Sequence, residues 1–361
     1  MKVTATIDQL SINYPLNGQK LSECIKNITD TWEFNYILGK YDSCHPVNGY
    51  TDAICWGQNS IKLMWNSNRE DMGIFLYFSA EGKRAYESQA ILRQMPVNWL
   101  VLFKHMLRHN GHLTRIDIAV DILDSQYSVQ RIFEDLTANV VVKNSQNREL
   151  NRIKFYGTGH SVTGITVGSR SSDAYLRIYD KKIEQDSVEA PYHSLAITAN
   201  SWTRVEAEFK GNKAKIIGKD LCNFRITGSR LINYVINQWH FYDGDDSYFF
   251  WNILIENATN ERIVLSLEPK SKNHIVSMTR YFLTGGSTGV LYKIKEVFGE
   301  EELDNFFDFL KKYISLSDKL SFKVPNNAPH DIEVLRNERI DGLSYIDYLN
   351  MTLKELGDSY D

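Results

Sequence analysis

The sequence predicts an α+β protein in which a largely antiparallel sheet with flanking helices precedes a small helical C-terminal domain. Several segments alternate polar and apolar residues, which is the period of a strand with one buried face. Amphipathic segments with helical spacing lie between these strands. Near residue 270 the composition changes, and beyond it the spacing of apolar residues is helical.

The N-terminal part of the chain is predicted to be rich in strands. Residues 1–90 are typical of strands joined by polar loops, with a strand at residues 73–78. Residues 98–108 predict a helix, and the Asn110-Gly111 pair that follows is typical of a helix end. The next strand is expected at residues 113–123.

The middle of the chain combines more strands with two helices and one long loop. The predicted strands are residues 152–157, 162–168, 173–182 and 202–210, the predicted helices are residues 128–140 and 229–240, and the polar stretch 183–200 is predicted to be a loop.

The C-terminal part differs in both charge and periodicity. Residues 301–314 predict a helix with apolar residues on one side. Residues 300–361 carry twice as many acidic as basic side chains. We therefore divide the chain into a main domain, residues 1–270, and a helical acidic C-terminal domain, residues 271–361.

The composition is that of a soluble globular protein, with 43% hydrophobic residues and a net charge of -4. No apolar stretch reaches the ~20 residues that span a bilayer. The N-terminus lacks the apolar core of a secretory signal. The four cysteines are scattered, which predicts reduced thiols in a cytoplasmic protein. The lack of a spanning stretch predicts no membrane partner.

Positive charge is concentrated in one part of this acidic chain. Residues 201–230 hold seven lysines and arginines against three carboxylates. Such a strip suits contacts with phosphates. A solvated, lysine-rich face would have the same composition, so the charge alone does not decide between these interpretations.

Three alternating segments carry the candidate chemistry, at residues 114–121, 173–182 and 202–210. Successive side chains of a strand point to opposite faces, so each segment separates an apolar face from a charged one. The charged faces consist of Arg115, Asp117 and Asp121, of Tyr175, Arg177, Tyr179 and Lys181, and of Arg204, Glu206, Glu208 and Lys210.

A solvated antiparallel sheet with cross-strand ion pairs would show the same alternation. Two observations favour a metal site instead. The small Ala119 leaves room between Asp117 and Asp121, and an arginine accompanies a carboxylate or a phenol on every one of these strands.

The residue types are those needed to cleave a phosphodiester. Asp117 and Glu206 offer hard oxygen ligands that suit Mg²⁺ or Mn²⁺, and the ion would polarise the phosphate. Tyr179 offers a covalent nucleophile. Arg177, Lys181 and the metal would favour the phenolate of Tyr179.

In their order and spacing these blocks resemble the Rep_trans-type replication initiation factors, over about residues 110–210. That family includes initiators of staphylococcal rolling-circle plasmids, replication proteins of filamentous vibriophages and related conjugative relaxases. The resemblance implies that Tyr179 becomes joined to a 5′ phosphate. It also implies that Asp117 and Glu206 bind the metal, with Asp121 and Glu208 assisting. The candidates for contact with DNA are Arg115, Arg170, Arg204, Lys210, Lys213 and Lys215.

Histidine is not expected to bind the metal. The HUH nickases use a His-apolar-His motif, which is missing from this sequence. His105, His109 and His112 cluster at the end of a predicted helix, and we interpret them as a capped terminus. Tyr175 would lie about 13 Å from Tyr179 along a strand that rises ~3.3 Å per residue. That is too far for a relay on one phosphate, so we expect a structural or DNA-stacking role for Tyr175.

The expected function is origin-specific nicking and rejoining of one DNA strand to start rolling-circle replication, which makes residues 1–270 the nicking domain. The expected partners are a duplex origin with an exposed single strand, a host helicase and polymerase, and a second protomer whose tyrosine serves the closing step. Three alternatives stay open. They are a conjugative relaxase with the same chemistry, a non-catalytic DNA-binding module on the same fold, and a two-metal nuclease that leaves both DNA ends free.

Overall fold

The computed structural model of the protein describes residues 1–159, 161–259 and 286–315, together with residues 261, 263, 265 and 282. The chain forms two compact units, Met1–Leu267 and Glu268–Asp361. The composition change at residues 268–273 and most of the expected C-terminal domain, residues 271–361, lie outside the described residues.

The first unit is organised around a ten-stranded sheet whose neighbouring strands pair antiparallel, in the order β2-β3-β4-β5-β1-β6-β11-β10-β9-β8. A second sheet has the order β13-β12-β7. The strands are β1 Lys2–Tyr14, β2 Asp42–Ser43, β3 Asp52–Trp56, β4 Ile61–Trp65, β5 Ile74–Phe78, β6 His112–Leu123, β7 Val140–Asn144, β8 Ile153–Thr158, β9 Ser161–Gly168, β10 Ala174–Asp180, β11 Trp202–Lys210, β12 Trp239–Asp243 and β13 Asp246–Ser247.

Helices flank the main sheet, and several begin with a side-chain cap from Ser or Thr, as at Ser79, Ser128 and Thr227. The helices of the first unit are α1 Leu21–Thr31, α2 Phe34–Ile37, α3 Ala80–Leu92, α4 Trp99–Arg108, α5 Val129–Ala138, α6 Lys181–Glu184, α7 His193–Thr198, α8 Gly211–Leu221, α9 Gly228–Gln238 and α10 Phe249–Glu256. The predicted α+β class, with a large antiparallel sheet and flanking helices, is confirmed.

The apolar face of the sheet forms the core, as the alternation predicts. Ile116, Ile118 and Val120 of β6 are fully buried. The helix α8 packs close to this strand. A Cβ atom on Gly218 would lie 3.0 Å from the Leu113 side chain, so a glycine at this position permits the close approach. This packing fixes which face of the central strands remains for the polar side chains.

The strand order extends outward from the β1–β6 pair in the same way on both sides. β1 is followed by β5, β4, β3 and β2, and β6 is followed by β11, β10, β9 and β8. The three segments with candidate chemistry are therefore adjacent strands, since β11 lies between β6 and β10.

A β-bulge interrupts the central pair. The pairing of β1 with β6 shifts between Ile7 and Gln9, so Asp8 is an extra residue opposite β6. Such a bulge re-aims a side chain, because it breaks the strict alternation of faces. Asp8 thereby reaches toward Arg84 and Arg204, with Oδ1 3.6 and 3.8 Å from their Nη1 atoms.

Three predictions about secondary structure are wrong in part. Residues 1–90 contain the helices α1, α2 and α3 besides the strands. The strand predicted at 173–182 ends at Asp180, whose carboxylate accepts a hydrogen bond from the Ile183 amide and caps α6. Lys181 therefore begins a helix, and the predicted loop 183–200 contains α7.

The second unit, as far as it is described, consists of α11 Gly286–Phe298 and α12 Glu300–Ser315. The helix predicted at residues 301–314 is confirmed by α12, which carries Glu300, Glu301 and Glu302 in its first turn. In the described part of the chain, every helix is too short or too polar to cross a bilayer.

Candidate active site

The antiparallel register brings the three charged segments together. Across β6 and β11, Asp117 is paired with Glu208. Across β10 and β11, Arg177 is paired with Glu206, and Tyr179 with Arg204. Residues 25 to 91 positions apart in the sequence thus become neighbours on one sheet face, as the alternation predicted.

This charged face is buried, in contrast to the solvated sheet that the alternation alone would allow. Asp117, Glu206 and Glu208 are exposed by 1%, 4% and 5%. The strand β11, which carries Glu206 and Glu208, is hydrogen-bonded on both sides and buried along nearly its whole length. Ion pairs are present, as in a solvated sheet, but their carboxylates are buried, while the side chains of Arg115, Arg177 and Lys210 are 30%, 28% and 30% exposed.

Asp117 lies in a network of opposite charges. Arg115 donates from Nε and Nη2 to the two carboxylate oxygens of Asp117, at 2.8 and 2.6 Å. The same Nη2 atom lies 2.6 Å from Glu208 Oε2. Lys210 Nζ is 2.6 Å from the other oxygen of Glu208. Arg115 thus bridges two buried carboxylates from neighbouring strands.

Burial raises the pKa of Asp117 to about 6, from an ordinary value of 3.8. The Arg115 guanidinium opposes this rise, while the negative charges of Glu208 and Glu206 add to it. The three carboxylates are therefore close enough to repel one another. Positive charge placed among them would relieve that repulsion.

Tyr179 lies beside the third carboxylate. Its hydroxyl donates to Glu206 Oε2 at 2.9 Å, and Arg177 Nη2 binds the other oxygen of Glu206. Burial and the negative charge of Glu206 raise the pKa of the Tyr179 phenol. We expected Arg177 and Lys181 to favour the phenolate, but Lys181 forms an ion pair with Glu184 and Arg177 is bound to Glu206.

Asp121 supports the site rather than facing its carboxylates. Arg204 donates to both oxygens of Asp121 at 2.7 Å, and Trp202 Nε1 donates to Oδ1 at 2.6 Å. Trp202 is buried, so its indole anchors this pair. Arg204 also faces Asp8, which the β1 bulge brings to it.

Among the described residues, no three Asp, Glu, His or Cys side chains converge on a point as metal ligands would. Asp117, Glu206 and Glu208 instead hold the nitrogen atoms of Arg115, Arg177 and Lys210. The donor set is all oxygen, which is what Mg²⁺ and Mn²⁺ prefer. The mutual repulsion around Asp117 is the observation that fits a cation here, with the ion taking over contacts that the basic side chains now make.

A cavity of about 670 Å³ opens in front of Tyr179, and we call it the nucleophile cavity. Both Glu206 and the Tyr179 phenol line it, together with the basic residues Arg84, Arg177, Lys181 and Arg204. Its size lies within the ~300–1,000 Å³ range of ligand sites in proteins. A polar group entering it would meet the phenol and several cations at once.

The residues expected to contact DNA do not form one basic surface. Arg115 and Arg204 are engaged in the buried ion pairs, and Lys210 pairs with Glu208. Lys213 is half-buried and donates to the Leu265 carbonyl at 3.1 Å. The exposed members of the set are Arg170 and Lys215.

The histidines near residue 109 are arranged as a packed helix end. His105 Nε2 lies 2.9 Å from Asn27 Oδ1 and 3.1 Å from Thr31 Oγ1, and its ring is 4.3 Å from that of His109. Burial lowers the pKa of His105 to about 4.

Tyr175 is buried beneath Arg170, whose guanidinium lies 5.7 Å from the ring centroid.

The sequence reasoning missed three residues at the nucleophile cavity, namely Asp8, Arg84 and Tyr192. Asp8 depends on a bulge, and Arg84 lies on α3, in a region we expected to contain strands and loops. Tyr192 lies just before α7, in the predicted loop. A helix starting after residue 79 could have been recognised from the Ser79 cap, but its place beside the site could not.

The chain is similar to known proteins in both sequence and fold. The family model Rep_trans, described as a replication initiation factor, matches residues 111–314, more than half of the chain. A protein of Bacillus subtilis (strain 168) described as "Putative DNA relaxase NicK" is 23% identical over 222 residues, which cover 58% of this chain. The match covers 60% of that relative, so the chain spans about three fifths of its length.

The fold is similar to that of a solved rolling-circle replication initiator protein from Geobacillus stearothermophilus. The TM-score is 0.57 at 16% identity, and the match covers 74% of this chain and 100% of that one. At this identity the likeness concerns the fold alone. The residues matched by the family model include β6, β10 and β11, the strands that carry the site. The chain therefore belongs to the Rep_trans family of replication initiation factors.

Proposed function

We propose that this protein nicks one strand of a replication origin and rejoins it, so that rolling-circle replication can start. The observation that carries the proposal is the contact between a phenol and a base. The Tyr179 hydroxyl donates at 2.9 Å to the buried carboxylate of Glu206, and both line the nucleophile cavity. A nucleophile within hydrogen-bond reach of a proton acceptor is the arrangement that covalent catalysis needs.

In the proposed step, Glu206 accepts the phenolic proton while the Tyr179 oxygen attacks phosphorus. The new bond joins the tyrosine to the 5′ phosphate, and the bond from phosphorus to the 3′ oxygen breaks. The 3′ oxygen leaves with the electron pair and takes up a proton to become a 3′-OH. Because the pKa of Tyr179 is raised, the phenol needs this base to react near neutral pH.

The basic residues would act on the phosphate. Arg177 already lies against Glu206 and borders the cavity, so it can exchange this contact for a phosphate oxygen. Lys181, which also borders the cavity, lies 5.7 Å from the Tyr179 ring centroid. Both are proposed to bind and orient the phosphate.

Asp117 and Glu206 are the proposed ligands of Mg²⁺ or Mn²⁺, with Glu208 and Asp121 assisting. When bound, the ion would offset negative charge that develops on the phosphate. Arg115, which now neutralises Asp117 and Glu208, keeps these carboxylates in place.

The proposed setting follows from this chemistry. The substrate is a duplex origin with an exposed single strand, reached in the cytoplasm. The free 3′-OH would prime a host polymerase, with a host helicase opening the duplex. Because one tyrosine is used in the first cleavage, we propose that a second protomer supplies the tyrosine for closing the circle.

A conjugative relaxase is the second candidate function. It is favoured by the similarity to the relaxase described above, at 23% identity. The chemistry would be the same, but the DNA would be a transfer origin. Nicking of the chain's own replication origin, with no nicking of a transfer origin from the same element, would contradict the relaxase.

The experiment is to incubate the protein with a supercoiled plasmid carrying its own origin and Mn²⁺, and to map any protein–DNA adduct by mass spectrometry. We expect an adduct at Tyr179 that is absent from Tyr179→Phe, while Tyr175→Phe, the matched control on the same strand face, still forms it. Cleavage without an adduct would indicate a two-metal nuclease. Full function of Tyr179→Phe would indicate a binding module, and cleavage unaffected by EDTA would contradict the metal.

A further inference from the structure

Two cavities share a wall beside the candidate site. The second, which we call the adjoining cavity, has a volume of about 410 Å³. It shares Asp8, Arg84, Tyr192 and Arg204 with the nucleophile cavity. Asp8 and Arg84 precede residues 111–314, so the segment matched by the family model does not contain them.

Arg84 is the most loosely held of the cations that line the nucleophile cavity in the described part of the chain. The other three contact carboxylates at hydrogen-bond distance, as described above. Arg84 Nη1 lies 3.6 Å from Asp8 Oδ1, and its side chain is partly exposed. Its guanidinium can therefore bind an incoming phosphate without breaking a close ion pair.

Tyr192 presents an aromatic ring next to this guanidinium. The ring is 5.9 Å from the Arg84 guanidinium carbon and packs edge-on against Trp202 at 6.1 Å. Tyr192 is 37% exposed and borders both cavities, so an incoming base can reach its ring. An arginine beside an aromatic ring is a combination that binds a phosphate and stacks an unpaired base.

The adjoining cavity is suited to such a base. The half-buried Trp99 lines it, and so do Thr227 and Gly228 at the N-terminus of α9. A helix N-terminus carries a partial positive charge, which suits the phosphate attached to that base, the group that Arg84 would bind. The volume lies within the usual range for a small ligand.

We propose that Arg84 and Tyr192 form a subsite for the nucleotide next to the scissile phosphate. The phosphate of that nucleotide binds Arg84, and its base stacks on Tyr192 in the adjoining cavity. Asp8, aimed by the β1 bulge, positions both Arg84 and Arg204. The subsite rests on the proposed nicking function, and it gives the N-terminal half of the sheet a direct part in holding the DNA.

The test combines protein variants with altered DNA. The probe is a single-stranded oligonucleotide from the chain's own origin, with an abasic site moved along it one position at a time. We expect Tyr192→Ala to weaken binding about tenfold in a Tyr179→Phe background, as loss of one stacked base does. Tyr192→Phe should bind normally. At one position, an abasic site should weaken binding to the Tyr179→Phe parent by the same factor. The same abasic site should not weaken binding to the Tyr192→Ala variant any further.

Arg84→Gln is tested in the same way with methylphosphonates, which remove the phosphate charge. We expect one methylphosphonate beside the nick to weaken the parent but not Arg84→Gln. Tyr36 is the matched control for Tyr192. It is 60% exposed and its ring centroid lies 5.6 Å from the Arg93 guanidinium, away from both cavities, so Tyr36→Ala should bind normally.

The outcomes separate the subsite from the nicking function. If the loss of affinity from the protein substitution multiplies with the loss from the DNA change at every position, the subsite is overturned, even if the wild type nicks. Non-additive binding losses would support the subsite. If the wild type then formed no adduct, the proposed chemistry would fail while the nucleotide-binding site remained.

Discussion

Asp117→Asn is expected to stabilise the protein and to inactivate it. Burial raises the pKa of Asp117 from 3.8 to about 6. At about 1.36 kcal/mol per pKa unit, the charged form costs on the order of 3 kcal/mol in the folded state above pH 7. Asparagine is neutral and of similar size. We expect a net gain of about 1–2 kcal/mol at pH 8, because one hydrogen bond from Arg115 is lost.

The sign of the pH dependence follows from the direction of the shift. A carboxyl whose pKa is raised by folding contributes stability that is complete below its unfolded value and is lost as the pH rises through about 6. The advantage of Asp117→Asn should therefore shrink by about 1.4 kcal/mol between pH 8 and pH 5. Urea unfolding in EDTA at both pH values measures this difference, and a nicking assay with Mn²⁺ measures the loss of activity.

Asp121→Asn is the control for this experiment. It removes the close partner of Arg204, which is held at 2.7 Å through both oxygens, and should cost about 3–5 kcal/mol. Asp117→Asn could destabilise the protein at pH 8 as much as Asp121→Asn does, or its effect could be independent of pH. Either result would show that the buried charge of Asp117 does not destabilise the folded state.

Three further substitutions test the surroundings. Glu206→Gln keeps the volume but removes both the proton acceptor and the charge of a proposed metal ligand, so the single-turnover nicking rate should fall at least about 10²–10⁴-fold while oligonucleotide binding in EDTA is kept. Trp202→Phe removes the 2.6 Å bond to Asp121 and should cost about 1–3 kcal/mol in urea unfolding. Gly164→Ala would place a Cβ 1.9 Å from the Tyr156 ring, so it should lower the melting temperature, and less so in a Tyr156→Ala background.

The central strands were predictable because alternation is a local property of the sequence. Asp117, Glu206 and Tyr179 could be assigned to one face from their own segments, and antiparallel pairing brings them together. The burial of that face could not be predicted, since it depends on what packs above β11. Lys181 was misplaced because the strand ends at Asp180, the residue before it, where the Asp180 side chain caps α6.

The first ninety residues were harder to interpret, for a physical reason. Gly82 interrupts the helical pattern of α3, and a Cβ there would lie 2.4 Å from the Ser60 carbonyl oxygen. A glycine that disfavours a helix is thus retained for a tertiary contact. Likewise, no local pattern marks Asp8 as the extra residue of a bulge, because the bulge exists only relative to β6.

The position of β11 has a consequence for how the protein works over time. A strand bonded on both edges and covered on both faces opens only with global unfolding, so its amide protons should exchange slowly. In the proposed nicking reaction, the carboxylates on β11 would thus keep their geometry through successive cleavage and joining steps.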